Sequence, residues 1–265
     1  MIKDITIGQY IPGESFIHKL DPRTKILITF LFIISLFIVD KFVGYIFVVA
    51  FLALVVYVAK ISPRYLYKGL KPVFLLIALT AILNIFMLRE GRLLFQLGFI
   101  KIYESGIKTA LFMAIRLILL IMGTSVLTLT TSPIELTDGI ERLLRPIGKE
   151  IAHELAMMMT IALRFIPTLI DETDKIMKAQ KARGADFESG GLVKKAKNLI
   201  PLLVPLFISS FRRADELAMA MEARCYRGGA RRTRMKILKF TSKDFIAFGV
   251  FALLLASTLI IRFAI

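Results

Sequence analysis

Five runs of apolar residues constrain the fold of this chain more than any other feature of its sequence. A helix needs about 20 mostly apolar residues to cross about 30 Å of hydrocarbon, and only helices or closed barrels satisfy their backbone hydrogen bonds in lipid. The pattern predicts an all-α, polytopic membrane protein with about five transmembrane helices, with four or six as the alternatives. The runs cover residues 26–39, 42–59, 73–88, 110–131 and 245–261, and the first of them, with 14 residues, is the doubtful one.

The charge distribution predicts the orientation of these helices. The chain carries a formal net charge of +16, and its basic residues flank the apolar runs. Such an excess is typical of cytoplasmic loops beside anionic lipid headgroups, so the expected partner is the bilayer and not nucleic acid. Residues 60–71 hold four basic residues and no acidic one, and residues 132–243 hold 21 basic against 13 acidic. Both stretches are predicted to be cytoplasmic, with the N-terminus inside and the C-terminus outside.

The same pattern divides the chain into three parts. Residues 1–131 form an N-terminal segment with four transmembrane helices, and residues 242–265 form a C-terminal transmembrane helix. Between them, residues 132–241 form a cytoplasmic coupling segment built from helices. Its start resembles a capping box, in which Ser132 caps the helix and Glu135 follows three residues later.

Three helices are predicted in the coupling segment. The first is amphipathic and ends near residues 145–148. The second runs from about residue 150 to 183 with a kink near Pro167, and the third runs from Pro201 to residue 224. Residues 184–197 are polar and contain glycine, which predicts a loop.

An internal repeat is the most informative feature of the coupling segment. Residues 174–183 align without gaps to residues 215–224, with four of ten positions identical. Both copies close a predicted helix and end in Ala-Arg followed by a small residue. The two sets are Ala182, Arg183 and Gly184, and Ala223, Arg224 and Cys225.

The repeated arginines have two interpretations. An arginine near a helix C-terminus complements the helix dipole, and Gly184 is a natural cap, so one copy by itself indicates only a helix end. Two matched copies favour docking to a partner with two equivalent sites. The planar guanidinium suits bidentate contact with a carboxylate, which lysine cannot replace.

Methionines cluster in the same helices, and flexible Met-rich faces adapt to partners of different shape. The alternative is ordinary helix core or lipid contact. The candidate contact residues are Met157, Met158, Met159, Met219 and Met221.

The sequence contains little that would support chemistry in this chain. It has no G-x-x-x-x-G-K-[ST] phosphate loop, and its single cysteine and two distant histidines argue against a metal site. Arg116 is the ionisable residue within the long apolar runs, where it either packs against protein or takes part in coupling. The chain is therefore predicted to be non-catalytic and to carry no cofactor.

Several motifs together resemble the transmembrane T component of energy-coupling factor (ECF) transporters. The resemblance covers nearly the whole chain. Its motifs are Gly8-Gln9-Tyr10-Ile11-Pro12-Gly13-Glu14-Ser15, His18-Lys19-Leu20-Asp21-Pro22-Arg23-Thr24-Lys25, Thr130-Thr131-Ser132-Pro133, Arg164-Phe165-Ile166-Pro167, Ala179-Gln180-Lys181-Ala182-Arg183-Gly184 and Ala220-Met221-Glu222-Ala223-Arg224.

The resemblance implies a transport scaffold in the plasma membrane of a prokaryote. A T component joins two ABC-type ATPase subunits, which bind ATP and Mg²⁺, to a membrane S component that captures a vitamin or another micronutrient. Its two X-Arg-X motifs, here around Arg183 and Arg224, dock into the ATPases. The N-terminal motifs look more like the shared T component than the version dedicated to cobalt or nickel. The alternatives are a conventional ABC permease subunit that lines the substrate path and a membrane-embedded enzyme or assembly factor.

Overall fold

The computed structural model describes residues 10–88, 90–97, 100–187, 191–226, 228 and 238–264. Within them a 3-10 turn at Lys71–Val73 joins α3 to α4. The helices are α1 (Pro22–Ile38), α2 (Phe42–Ala59), α3 (Pro63–Leu70), α4 (Phe74–Met87), α5 (Glu104–Thr130), α6 (Pro133–Leu144), α7 (Lys149–Ala182), α8 (Leu192–Ala223) and α9 (Ser242–Ala264), and the strands are β1 (Leu93–Leu97) and β2 (Ile100–Tyr103).

The all-α fold is confirmed, with five candidate membrane spans among the described residues, although the individual spans differ from the prediction. By length and composition the candidates are Phe42–Ala59, Pro63–Met87, Glu104–Thr130, Lys149–Ala182 and Ser242–Phe263. The third predicted run thus belongs to a continuous helical stretch, formed by α3, the 3-10 turn and α4, that starts at Pro63. The α7 helix joins the set although the sequence placed it in the cytoplasm. The α1 helix, with 17 residues, reaches about 25 Å and falls outside the set. Which side of a membrane each loop faces stays a prediction.

The described residues fall into two compact units. Those of 10–139 and 238–264 form the first, and those of 140–226 with 228 form the second. The core of the first unit lies among α1, α2, α5 and α9, where Leu36 and Val48 are fully buried. A Cβ atom on Gly123 of α5 would lie 2.5 Å from the Phe32 ring, so glycine is needed where α5 crosses α1.

The residues of the N-terminal motif join the starts of α1 and α9. Asp21 caps α1 by accepting a hydrogen bond from the Arg23 amide at 2.9 Å, and its side chain forms a 2.8 Å ion pair with the Arg23 guanidinium. The Asp21 amide donates to the buried Asp244 carboxylate of α9 at 2.9 Å. The guanidinium also lies 3.9 Å from the centroid of the Phe240 ring. This motif therefore holds two helix N-termini together, which explains why Asp-Pro-Arg stands there.

Two further motif residues hold the chain ahead of α1. The Lys25 ammonium is buried and donates to the carbonyl of Thr130, at the end of α5, at 2.9 Å. The His18 ring lies with Nδ1 2.6 Å from the Ser15 hydroxyl and Nε2 3.1 Å from the Ile11 carbonyl. Burial lowers the pKa of His18 below its ordinary value, which favours the neutral ring. In that form Nε2–H donates to the Ile11 carbonyl and Nδ1 accepts from the Ser15 hydroxyl. Gly8 and Gln9 lie outside the described residues.

Arg116 of α5 holds the end of α1. Its guanidinium donates to the Val39 carbonyl and to the Tyr45 hydroxyl, both at 3.2 Å. Arg262 of α9 reaches the neighbouring Ile38 carbonyl at 3.3 Å. The last carbonyls of a helix have no intrahelical donor, and two arginines here supply one. These contacts favour the packing interpretation of Arg116 over the coupling one.

The sequence missed a β-hairpin between α4 and α5. Strands β1 and β2 pair antiparallel, with Leu93 opposite Tyr103 and Leu97 opposite Ile100. Short strands of this kind carry a weak periodic signal, which the longer apolar runs on both sides conceal.

The second unit is dominated by the two longest helices, which pack against each other. Glu172 of α7 contacts Ser209 of α8, while Gln180 contacts Pro201, so the helices run antiparallel. The predicted bounds of α7 are confirmed. The predicted start of α8 is wrong, because α8 begins at Leu192 and contains both of its prolines. A proline inside a helix removes one backbone hydrogen bond and can kink the helix without ending it, so Pro201 alone does not mark a helix start.

Candidate functional site

The two copies of the repeat close α7 and α8 with the same backbone geometry. Arg183 follows the last residue of α7 with φ −87° and ψ 7°, and Arg224 follows the last residue of α8 with φ −91° and ψ 12°. The next residue is left-handed in both, with φ +87° at Gly184 and +54° at Cys225. We call Ala182–Arg183–Gly184 and Ala223–Arg224–Cys225 the paired helix ends.

Both ends form a Schellman motif. After α7, the Gly184 amide donates to the Lys181 carbonyl and the Ala185 amide to the Gln180 carbonyl, each at 3.0 Å. After α8, the corresponding bonds run from Cys225 to Glu222 at 2.8 Å and from Tyr226 to Met221 at 3.0 Å.

The cysteine in the second copy therefore keeps the cap, although a left-handed residue with a side chain costs about 1–2 kcal/mol more than glycine. The departure of Ala-Arg-Cys from Ala-Arg-Gly leaves the arginine in the same place.

The paired helix ends are open to a partner. All six residues are exposed, and a Cβ atom on Gly184 would meet no atom within 4 Å. Neither guanidinium has a hydrogen-bond or ion-pair partner among the described residues. Two arginines at equivalent caps, each with small neighbours, can each offer a fork of donors to a carboxylate or carbonyl group.

The α8 end is fixed to the start of α7 by a chain of polar contacts. The Tyr226 hydroxyl lies 3.4 Å from His153 Nε2, and His153 Nδ1 lies 3.5 Å from a carboxylate oxygen of Glu141. Glu141 is 2% exposed and also forms a 3.3 Å ion pair with Arg145. A buried carboxylate needs such partners, since leaving a buried charge unpaired costs several kcal/mol. Sequence reasoning missed this set of contacts, because Tyr226 lies 73 positions from His153.

The helix crossing itself carries a charged contact. The Glu172 carboxylate of α7 accepts a hydrogen bond from the Ser209 hydroxyl of α8 at 2.8 Å and forms an ion pair with Arg213. These contacts hold the two long helices in one register.

The candidate methionines do not share one environment. Met158 is 58% exposed and Met219 is 62% exposed, whereas Met157, Met159 and Met221 are half-buried. Met158 belongs to a larger exposed apolar face, which sequence reasoning missed although its helical spacing was readable. On α7 this face comprises Ile151, Leu155, Met158 and Ile166, and a second face on α8 comprises Ile200, Val204, Phe207 and Phe211.

Long apolar helices together with two matched, arginine-bearing helix ends define a class: multi-pass α-helical membrane proteins that expose paired cationic sites. Residues 13–237 match the family model CbiQ, described as a cobalt transport protein. The chain is 68% identical over 250 residues to the energy-coupling factor transporter transmembrane protein EcfT of Clostridium kluyveri, covering 93% of each chain. It is 59% identical to the protein of that name from Thermosediminibacter oceani, covering 99% of each, and 50% identical to that of Bacillus subtilis, covering 92% of this chain and 93% of the relative.

The chain therefore belongs to the CbiQ/EcfT family of transmembrane proteins of energy-coupling factor transporters. This confirms the family that the sequence motifs indicated. It makes the chain a multi-pass membrane component of a transporter, in agreement with its five candidate spans.

Proposed function

We propose that this chain is the scaffold of an ECF transporter, which joins two ATPase subunits to a substrate-binding S component for uptake of vitamins or other micronutrients. ATP and Mg²⁺ are bound by the ATPases, and this chain carries neither catalysis nor a cofactor. The family supports the transporter, and the geometry of the second unit supports the division of labour within it.

The observation that carries the proposal is the matched pair of helix ends. Two equivalent ATPase subunits require two equivalent contacts, and the chain offers Arg183 and Arg224 in the same cap geometry. Both are exposed and have no partner among the described residues. Each guanidinium is thus available for a bidentate contact in an acidic or carbonyl-lined groove.

The apolar faces of α7 and α8 suit the S component. Exposed apolar faces of this size mark contact with lipid or with another apolar surface. Met158 and Met219 add flexible side chains that fit partners of different shape, which a shared scaffold needs. With the basic segments inside, the paired helix ends face the cytoplasm of a prokaryotic cell, where ATP is available.

Copurification tests the proposal against a conventional permease. The full chain is tagged, expressed with its chromosomal neighbours and purified in mild detergent, and the proteins that elute with it are identified by mass spectrometry. We expect two ATPase subunits and one or more small membrane proteins, with substrate retained only when such a membrane protein is present. A chain that retains substrate in its absence would be a permease that lines its own path, and a chain that elutes without ATPases would contradict the scaffold.

A further inference from the structure

Pro205 leaves a gap in the backbone hydrogen bonds of α8. In a regular helix the carbonyl of Pro201 accepts a hydrogen bond from the amide of residue 205. Proline has no amide hydrogen, so this bond is missing inside α8. A carbonyl without a donor in the interior of a helix needs another partner or water.

Gln180 of α7 supplies the missing donor. Its side-chain amide donates from Nε2 to the Pro201 carbonyl at 3.3 Å. The contact joins the last turn of α7 to the point where α8 is interrupted. The donor comes from a residue 21 positions earlier in the chain, so it depends on the antiparallel packing of the two helices.

The backbone of Gln180 also forms the cap that presents Arg183. The Gln180 carbonyl accepts from the Arg183 amide at 3.1 Å and from the Ala185 amide at 3.0 Å. Gln180 thus takes part in the cap at Arg183 through its carbonyl, and it contacts the Pro201 carbonyl of α8 through its side chain. We call the stretch Pro201–Pro205 the proline site of α8. A displacement of the α7 end therefore stretches the hydrogen bond between the Gln180 side chain and the Pro201 carbonyl.

The second copy of the repeat has no such residue. Met221 stands at the position equivalent to Gln180 and has no donor. The α8 end is held instead through Tyr226 and His153. The two matched ends therefore attach to the rest of the unit by different contacts.

We propose that Gln180 is a positioning residue, which couples the Arg183 end of α7 to the proline site of α8 so that the two move together. This inference rests on the proposed function, because there the binding of an ATPase to Arg183 is the event that displaces the end of α7. We call the hydrogen bond from Gln180 to the Pro201 carbonyl the brace. It needs no partner protein, so it can be tested on the purified chain.

A double-mutant cycle with Pro205 tests the brace. Gln180→Leu removes the donor, and Gln180→Glu keeps the shape of the side chain while removing the donor at neutral pH. Pro205→Ala restores a backbone amide that donates to the Pro201 carbonyl, so the Gln180 donor is no longer needed. Packing of the Gln180 side chain, by contrast, would matter equally with either residue at 205.

The readout is the distance between nitroxides at Lys178→Cys and Glu216→Cys, two exposed positions on α7 and α8. It is measured by double electron–electron resonance on the full chain in lipid nanodiscs, with Cys225→Gly removing the native thiol. The loss of one net hydrogen bond should raise the fraction of molecules in which α7 is displaced from α8 by about 2- to 13-fold, for both Gln180 variants. We expect no rise in the Pro205→Ala background, and none for the control Lys175→Leu. The same rise in both backgrounds, or no rise with Pro205 present, would overturn the brace.

Binding to the ATPases tests the link to Arg183. Gln180→Leu should weaken binding in the Arg224→Ala background, where only the α7 end remains, and should have no effect in the Arg183→Ala background. An equal effect in both backgrounds would overturn the positioning role. Failure of the proposed function looks different, because then Arg183→Ala and Arg224→Ala leave binding unchanged from the start.

Discussion

Replacing Arg183 and Arg224 by alanine separates a docking role from a capping role. Both guanidinium groups are exposed and lack a partner among the described residues, so the free chain loses little without them. The loss is the dipole contribution of a cation at a helix C-terminus, typically 0.3–1 kcal/mol. In a complex the same group would be desolvated against a partner. Truncating one member of such a pair costs about 2–5 kcal/mol, which is roughly 30- to several-thousand-fold in affinity.

The expected series follows from these two magnitudes. Each single Arg→Ala variant should retain part of the complex, because the other end still binds and the two contacts act as linked sites. The double variant should lose more than either single variant. Arg→Lys should restore little, since it keeps the charge and loses the planar fork. The melting temperature of the isolated chain should change little throughout the series.

The assay is ATPase binding to the detergent-solubilised chain by biolayer interferometry, followed by uptake in proteoliposomes. Arg212→Ala is the matched control, since Arg212 is an exposed arginine of α8 in the interior of the helix. Arg231 and Arg232, two basic residues that follow α8 in the sequence, lie outside the described residues. A double variant that binds both ATPases and transports like the unmodified protein would show that these arginines only cap their helices.

Three further predictions concern pH, orientation and partner choice. Because burial lowers the pKa of His18, the unfolded chain binds a proton more readily below pH about 6.5, so thermal stability should fall as the pH falls through the folded pKa. His18→Asn should flatten that dependence, and an unchanged slope would refute it. The exposed Cys225 should resist an impermeant thiol reagent in right-side-out vesicles until they are opened, whereas labelling from outside would reverse the orientation. Replacing Met158 and Met219 by leucine should cost under about 1.5 kcal/mol of stability and impair S components unequally, and equal transport of every substrate would leave only lipid or core packing.

Most of the predictions made from the sequence depend on two features, the internal repeat and the apolar runs. Apolar runs of this length report membrane helices directly, because the requirement is set by bilayer thickness and backbone hydrogen bonding. The end of α7 could also be predicted from the sequence, because its signal is local. A cap depends on a few adjacent residues, here Ala182, Arg183 and Gly184, and local chemistry is visible locally.

One error concerns the start of α8. Pro201 indicated a helix start, yet α8 runs through it from Leu192. Residues 132–241 were placed in the cytoplasm, yet α7 within them is also long and apolar enough to be a candidate span, and the side of the membrane on which it lies stays a prediction.

What only the tertiary structure decided is how the paired helix ends are attached. The sequence placed Arg183 and Arg224 at helix ends and named the residues around them. It could not show that Gln180 completes α8, or that Tyr226 reaches Glu141 through His153, because those contacts join residues 12 to 73 positions apart. Contacts between residues so distant in sequence exist only after the helices have packed, and a hydrogen bond is set by positions in space. The sequence therefore determines the two arginine sites, and the packing of α7 against α8 determines how they are held.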